Sequence, residues 1–162
     1  MDILEALAQP TDRFLEHSLI FALIEIGDLQ ATRTGLASEN VSQRRAAMIA
    51  VEQIPGGELE AQQVIEGLDS SDARTRETAW WIVSRHPQLW GRMLATWLSQ
   101  RLNDPRLNAE QRQSFVTRLT QVATSSELAE WISTELTREG SQPTTQILLL
   151  QVMRDAGGQR AN

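Results

Sequence analysis

Turn-forming residues cut this chain at short, nearly regular intervals, and that spacing constrains its fold more than any other feature. The breaks fall at Gly27-Asp28, Gly35 to Asn40, Pro55-Gly56-Gly57, Asp69 to Asp72, His86-Pro87, Asn103 to Asn108, Ala123 to Ser126 and Gly140 to Pro143. Between them apolar residues recur at helical rather than alternating spacing, and no Asn-Gly or Asp-Gly hairpin pair is present. The pattern predicts about nine or ten helices of roughly 10 to 16 residues, joined by loops short enough only for antiparallel neighbours. In DRFLEHSLIFALIEI, Phe14, Leu15, Leu19, Ala22, Leu23 and Ile26 lie on one side, with Ile20, Phe21 and Ile24 on the other. A helix apolar nearly all round is expected to be covered on several sides.

The polar residues that open alternate segments are Asp12, Asn40, Asp72 and Asn108, at intervals of 28, 32 and 36 residues. Each is an N-cap type, whose side-chain oxygen accepts from the backbone N–H of the second or third helical residue, a contact worth about 1 kcal/mol. Gln43 and Gln111 stand three residues beyond two of them, as capping-box partners. Four residues beyond the openers stand Glu16, Arg44, Arg76 and Arg112, and seven beyond stand Leu19, Ala47, Ala79 and Phe115. The plus-four and plus-seven residues share one stripe of their helix. Recurrence at such a period marks an array of similar units, each burying its apolar face against the next.

This Asp/Asn-x-x-x-Arg-x-x-Ala pattern, opening one helix of a hairpin, resembles the HEAT repeat family. The match is best at Asp72, Arg76 and Ala79, good at Asn40, Arg44 and Ala47, and weakest at Asp12, where Glu16 stands in for arginine. The resemblance implies an all-α fold, a right-handed α-α superhelix of about four helical hairpins plus a terminal helix from Gln142 to Asp155. Residues 1–156 would form this single α-solenoid domain, with 157–162 as a disordered tail or the start of a linker. It implies too that Asp and Arg of successive repeats form a ladder between neighbouring hairpins, giving Arg44, Arg76 and Arg112 structural roles. DRFLEHSLIFALIEIGD, RRAAMIAVEQIPGG and TAWWIVSRHP are similar, in addition, to a HEAT-like region of large exported proteins of planctomycete-type bacteria. There it lies between a dehydrogenase-like β-propeller and a C-terminal c-type cytochrome domain. That likeness implies a middle fragment of a larger exported protein. Without it, Met1 followed by Asp2 and Glu5, with no cationic start or apolar signal core, points to the cytoplasm.

Cysteine is absent, which removes disulfides, thiolate metal sites, haem attachment through CxxCH and thiol nucleophiles. Neither His17 nor His86 has a second ligand at the usual metal-binding spacing, and there is no glycine-rich cofactor loop. His17 reads as a satisfied, partly buried side chain, and His86 as a residue facing the negative pole at a helix end. Glu16 and His17 diverge on a helix and have no nucleophile at hand. No catalytic, cofactor or metal-binding residue is therefore assigned. The net charge of −6 is uneven: Met1 to Glu77 holds 14 acids and 6 arginines, Thr78 to Ser126 holds 2 and 6, and the remainder 5 and 3. One mildly basic segment in an acidic chain makes general nucleic-acid binding unfavourable. No apolar run is long enough to cross a bilayer, and no helix pairs a basic face with an aromatic one for adsorption to a membrane surface.

Adjacent residues on a helix point about 100° apart, so Trp80 and Trp81 cannot share a face. Trp80 joins Arg76, Ala79 and Val83 on a core stripe, while Trp81 aligns with Glu77, Thr78 and Arg85 and faces either the next hairpin or a partner. Trp90, Leu94, Trp97, Leu98 and Arg101 form an inter-helix seam. Four of the five tryptophans fall in the basic segment, so Trp81, Arg85, Arg92 and Arg101 border the candidate partner-binding patch. The expected function is a non-enzymatic scaffold, spacer or docking module for protein, either another chain or the flanking domains of its parent. The alternative is a HEAT-like enzyme that excises damaged DNA bases. That chemistry needs a cationic channel with an Asp and exposed tryptophans, which here could come only from Trp81, Trp90, Asp104 and Arg101.

Overall fold

All four predicted openers cap the helices that follow them. Asp12 accepts from the N–H groups of Phe14 and Leu15 (2.8 Å each), Asn40 from Gln43 (3.1 Å), Asp72 from Thr75 (2.7 Å) and Asn108 from Gln111 (2.8 Å). Asn108 and Gln111 also close the predicted capping box. At Asn40 the box takes another form, because a hydroxyl is inserted into it: the Asn40 N–H donates to Ser38 Oγ (3.0 Å), which donates to Gln43 Oε1 (2.6 Å).

The computed structural model describes residues 2–9, 12–104, 106–123 and 125–160, with 159 and 160 by backbone alone. These residues form ten α-helices, one 3-10 turn (Gly35–Ala37) and no strand, so the chain is all-α. The helices are α1 (Ile3–Leu7), α2 (Arg13–Ile26), α3 (Leu29–Thr34), α4 (Val41–Gln53), α5 (Ala61–Leu68), α6 (Ala73–Arg85), α7 (Pro87–Arg101), α8 (Ala109–Val122), α9 (Ser126–Thr137) and α10 (Pro143–Arg160). Every break read from the sequence coincides with a helix boundary. Pro87 begins α7, and His86 is the N-cap residue of that helix. The terminal helix departs from expectation, since α10 runs past Asp155 through Gly157 and Gly158 to Arg160. Of the expected tail, Ala161 and Asn162 lie outside the described residues.

The helices group into two compact units, Met1–Ile82 and Val83–Asn162, with the division inside α6. In the first unit α2 lies beside α4, α1 packs on both, and α3 packs on α4. Leu4, Leu7, Ile20, Leu23, Ala46, Ala50 and Ile54 make the core between α1, α2 and α4. Gly67 of α5 allows close approach to α4 and α6: a Cβ there would stand 2.9 Å from both Met48 Cε and Ala79 Cβ. Trp80 is buried, as its stripe predicts. The first unit corrects the reading of α2. Only Glu16, Ile20 and Leu23 are buried on it, one stripe facing α1 and α4, while Phe14 is 86% and Phe21 55% exposed.

The arginines at plus four also behave differently from the implied ladder. Arg44 Nη1 donates to Ser38 O, and Arg76 Nη1 to Ser70 O (2.7 Å) and Ser71 O (2.8 Å). Each turns back to the carbonyls of the loop before its own helix, because side chains on a helix lean toward its N-terminus. At the matching place in α8, Arg112 has its Nη1 buried with no hydrogen-bond partner among the described residues.

Asn40 has a second task. Its Nδ2 donates to Ala8 O (2.9 Å), tying the end of α1 to the start of α4. Asn40→Ala removes both the cap and this bond, and is expected to cost about 2 kcal/mol in urea unfolding. Asn40→Asp, which keeps the cap oxygen, should cost about half as much. An aspartate variant as stable as the native chain would show that the Ala8 bond contributes nothing.

In the second unit each helix lies beside the one two places on, α7 with α9 and α8 with α10, and α9 also meets α10. Trp90, Leu94, Trp97 and Leu98 are buried along α7, as the seam predicts. Trp131 Nε1 donates to Ser99 Oγ (2.8 Å), and Thr145 Oγ1 to Leu102 O (3.1 Å), fixing α9 and α10 against the C-terminal end of α7.

Candidate functional site

The site begins with a buried carboxylate. Glu16 sits one turn before Ile20 on the inward stripe of α2, so the residue is only 5% exposed when the helix packs. Its Oε1 accepts from Arg45 Nη2 on α4, and its Oε2 from Arg74 Nη2 on α6. Arg45 is itself buried, whereas the Arg74 side chain is 57% exposed. Burial alone would push the Glu16 carboxyl up. The hydrogen bonds from Arg74 and Arg45, with their charges, outweigh it and hold the group below its ordinary value of 4.5, hence ionised. Asp72 is lowered too, first by the hydrogen bond from the Thr75 hydroxyl (2.8 Å) and further by the charges of Arg45 and Arg74.

Above this ionic floor α2, α4 and α6 border a cleft of about 560 Å³. Along α2, Arg13, His17, Phe21 and Ile24 follow one stripe, which at 1.5 Å per residue spans about 16 Å. Arg45, Ile49 and Gln53 face it from α4, and Arg74 from α6. Two neighbouring recesses share its residues. One of about 490 Å³ lies among Arg13, Arg45, Arg74, Glu77 and Thr78, and one of about 380 Å³ among Ile49, Gln53, Glu77, Thr78 and Trp81. Together they make a groove with two ends. The arginines stand near the start of each helix, at Arg13, Arg45 and Arg74. The apolar groups stand further along, at Phe21, Ile24, Ile49 and Trp81.

Of the residues predicted to border the partner patch, Trp81 is half-buried and lines this groove. Arg85 is exposed in the last turn of α6. Arg92 is exposed on α7, where its charge helps hold the Glu127 carboxyl below its usual range, after the hydrogen bonds from the Glu127 backbone and from Ser125 and Ser126. Arg101 lies 6.0 Å from the centre of the Trp97 ring. Nine residues at 100° each put Arg92 and Arg101 on opposite sides of α7, so they do not share a face. His17 is exposed in the groove rather than partly buried, because it lies on the open side of α2.

The residues offered for base excision fare unevenly. Trp90 is 7% exposed within the α7 seam and has no open face on which a base could stack. Asp104 is held by Arg106, whose Nε and Nη2 each donate to it at 3.0 Å, and its carboxyl is lowered to about 2 chiefly by that contact. Among the described residues no three of His, Asp and Glu gather as metal ligands. No helix among them is long and apolar enough to cross a membrane.

Reading along the sequence missed Arg13, Phe14, Glu16, Phe21, Arg45 and Arg74 as groove residues. One signal was present: Glu16 reverses the charge expected at its place in the repeat. In comparisons with known proteins, no family model and no curated protein sequence matches this chain.

Proposed function

We propose that the chain is a non-enzymatic helical-repeat scaffold, a HEAT-like α-solenoid module that docks protein along the groove of α2, α4 and α6. The observation that carries this reading is an open aromatic edge set beside a fixed ionic floor. Phe14 at 86% and Phe21 at 55% exposure, next to arginines already held in place by Glu16, have the composition of an interface centre rather than of ordinary solvated surface. Side-chain caps and well-packed helices leave little to be ordered when a partner arrives, so less of the contact energy is lost on association. The pairing of helices two apart supports the array, since stacked hairpins bring alternate helices side by side. The partner is either another chain or a neighbouring domain of a larger parent protein.

A photo-crosslinking residue placed in turn at Phe14, Phe21 and Gln62 tests this in cells. Gln62 is exposed on α5 and does not line the groove. The expected result is one adduct shared by positions 14 and 21 and absent at 62, lost when Arg74→Gln is added. Adducts of equal yield at all three positions, or none at 14 and 21, would contradict it.

A further inference from the structure

Resting on the docking reading, we infer that the groove takes an acidic, apolar peptide segment, with a carboxylate at Arg13 and Arg74 and apolar side chains over Phe21, Ile49 and Trp81. The hydrogen-bond inventory points there. A guanidinium has five N–H donors. Glu16 has both oxygens engaged, each by one Nη2, so Arg74 keeps donors to spare on a side chain 57% exposed. Arg13 is exposed and has no ion pair or hydrogen bond among the described residues. Along the lining, Arg13, Arg45 and Arg74 stand against Glu16 and Glu77, three positive charges to two negative, in a chain whose net charge is −6. Asp12 and Asp72 keep their charges, and Asp72 is close enough to feel Arg45 and Arg74, but both turn to the caps of α2 and α6 and neither lines the groove.

The unused guanidinium donors of Arg13 and Arg74 at one end suit a carboxylate, which two guanidinia can hold with directed, charge-assisted bonds. The other end is apolar and needs an apolar complement. Docking is therefore directional, with the acid at the start of α2 and the apolar side chains toward Trp81. A nucleic-acid strand fits less well, because neutralising successive phosphates needs a row of cations, whereas two of these three arginines are already shared with Glu16 and the groove carries no further arginine beyond them.

Fluorescence anisotropy with a labelled amphipathic peptide of leucine, alanine and glutamate, and its glutamine-for-glutamate and lysine-for-glutamate counterparts, tests the assignment. The glutamate peptide is expected to bind at least about tenfold tighter than the glutamine peptide, more weakly as salt is raised, with the lysine peptide weakest. Arg13→Gln should erase most of that preference without altering the unfolding midpoint, since Arg13 has no ion pair or hydrogen bond among the described residues, while Arg154→Gln should leave it intact. A glutamine peptide of equal affinity, a lysine peptide that binds tighter, or an oligothymidine that displaces the glutamate peptide at equal concentration would overturn the inference. Failure of all three peptides, with crosslinks persisting at Phe14 and Phe21, would remove the acidic chemistry and leave docking standing. Failure of both would remove the two together.

Discussion

Glu16→Ala is expected to destabilise the fold by about 3–5 kcal/mol, because it strands the buried Arg45 guanidinium without its carboxylate. Arg74→Ala should cost no more than about 1 kcal/mol, since that side chain is largely open to water and Arg45 still pairs with Glu16. The double variant Glu16→Leu with Arg45→Met should recover most of the loss of Glu16→Ala, as apolar groups of similar volume replace a buried pair. The pH dependence has a definite sign. Because the folded Glu16 carboxyl titrates below its ordinary value of 4.5, its contribution is complete above that value and is lost as pH falls from 4.5 through the folded one. Urea unfolding between pH 7 and pH 3 should show the native chain losing stability that Glu16→Gln does not lose over the same window. Parallel losses in the two proteins would mean the ion pair contributes little.

Gly57→Ala is expected to cost at least about 3 kcal/mol, at the upper end of overpacking. The position looks permissive, because its backbone is not left-handed. Crowding is the obstacle: a Cβ there would fall inside the Val51 carbonyl and stand 2.8 Å from Ile54 O, and backbone atoms cannot rotate away as a side chain could. Gly56 presents the opposite case. Its φ is 77° with nothing within 4 Å of a Cβ, so Gly56→Ala should cost only the left-handed strain of about 1–2 kcal/mol. Denaturant midpoints at constant slope rank the two. A larger loss at Gly56 than at Gly57 would show that turn strain, not crowding, governs this loop.

What was legible in the sequence was whatever depends on neighbours in the chain. Asp12, Asn40, Asp72 and Asn108 were readable as caps because a cap involves only the next two or three residues, and Pro87 and the glycine breaks mark helix ends for equally local reasons. Trp80, Leu94 and Leu98 were readable as core because burial of one stripe follows from helical period. What escaped depends on which stripes meet in space. Arg44 and Arg76 occupy the repeat positions, yet their reach to Ser38, Ser70 and Ser71 keeps them within their own loops. The cross-helix link falls instead to Arg45 and Arg74, five residues after one opener and two after another, registers that no single-repeat pattern fixes. Phe14 and Phe21 read as buried because hydropathy reports what a side chain prefers, whereas α2 packs against α1 and α4 on its Glu16 side and leaves these two exposed. The outlier at plus four, Glu16, was the visible trace of that link: a carboxylate among arginines is placed to be shared by them.

The groove stands on the ion-paired state of that one carboxylate, which joins α2, α4 and α6 at its cationic end. Carbon-13 NMR titration of the Glu16 Cδ in the intact chain tests it most directly, because burial and pairing move the midpoint in opposite directions. A midpoint below 4.5 that moves upward in Arg45→Ala is the expected result. A midpoint above 4.5, indifferent to Arg45 and Arg74, would show a carboxyl that is buried but unshared, and the groove would lose its floor.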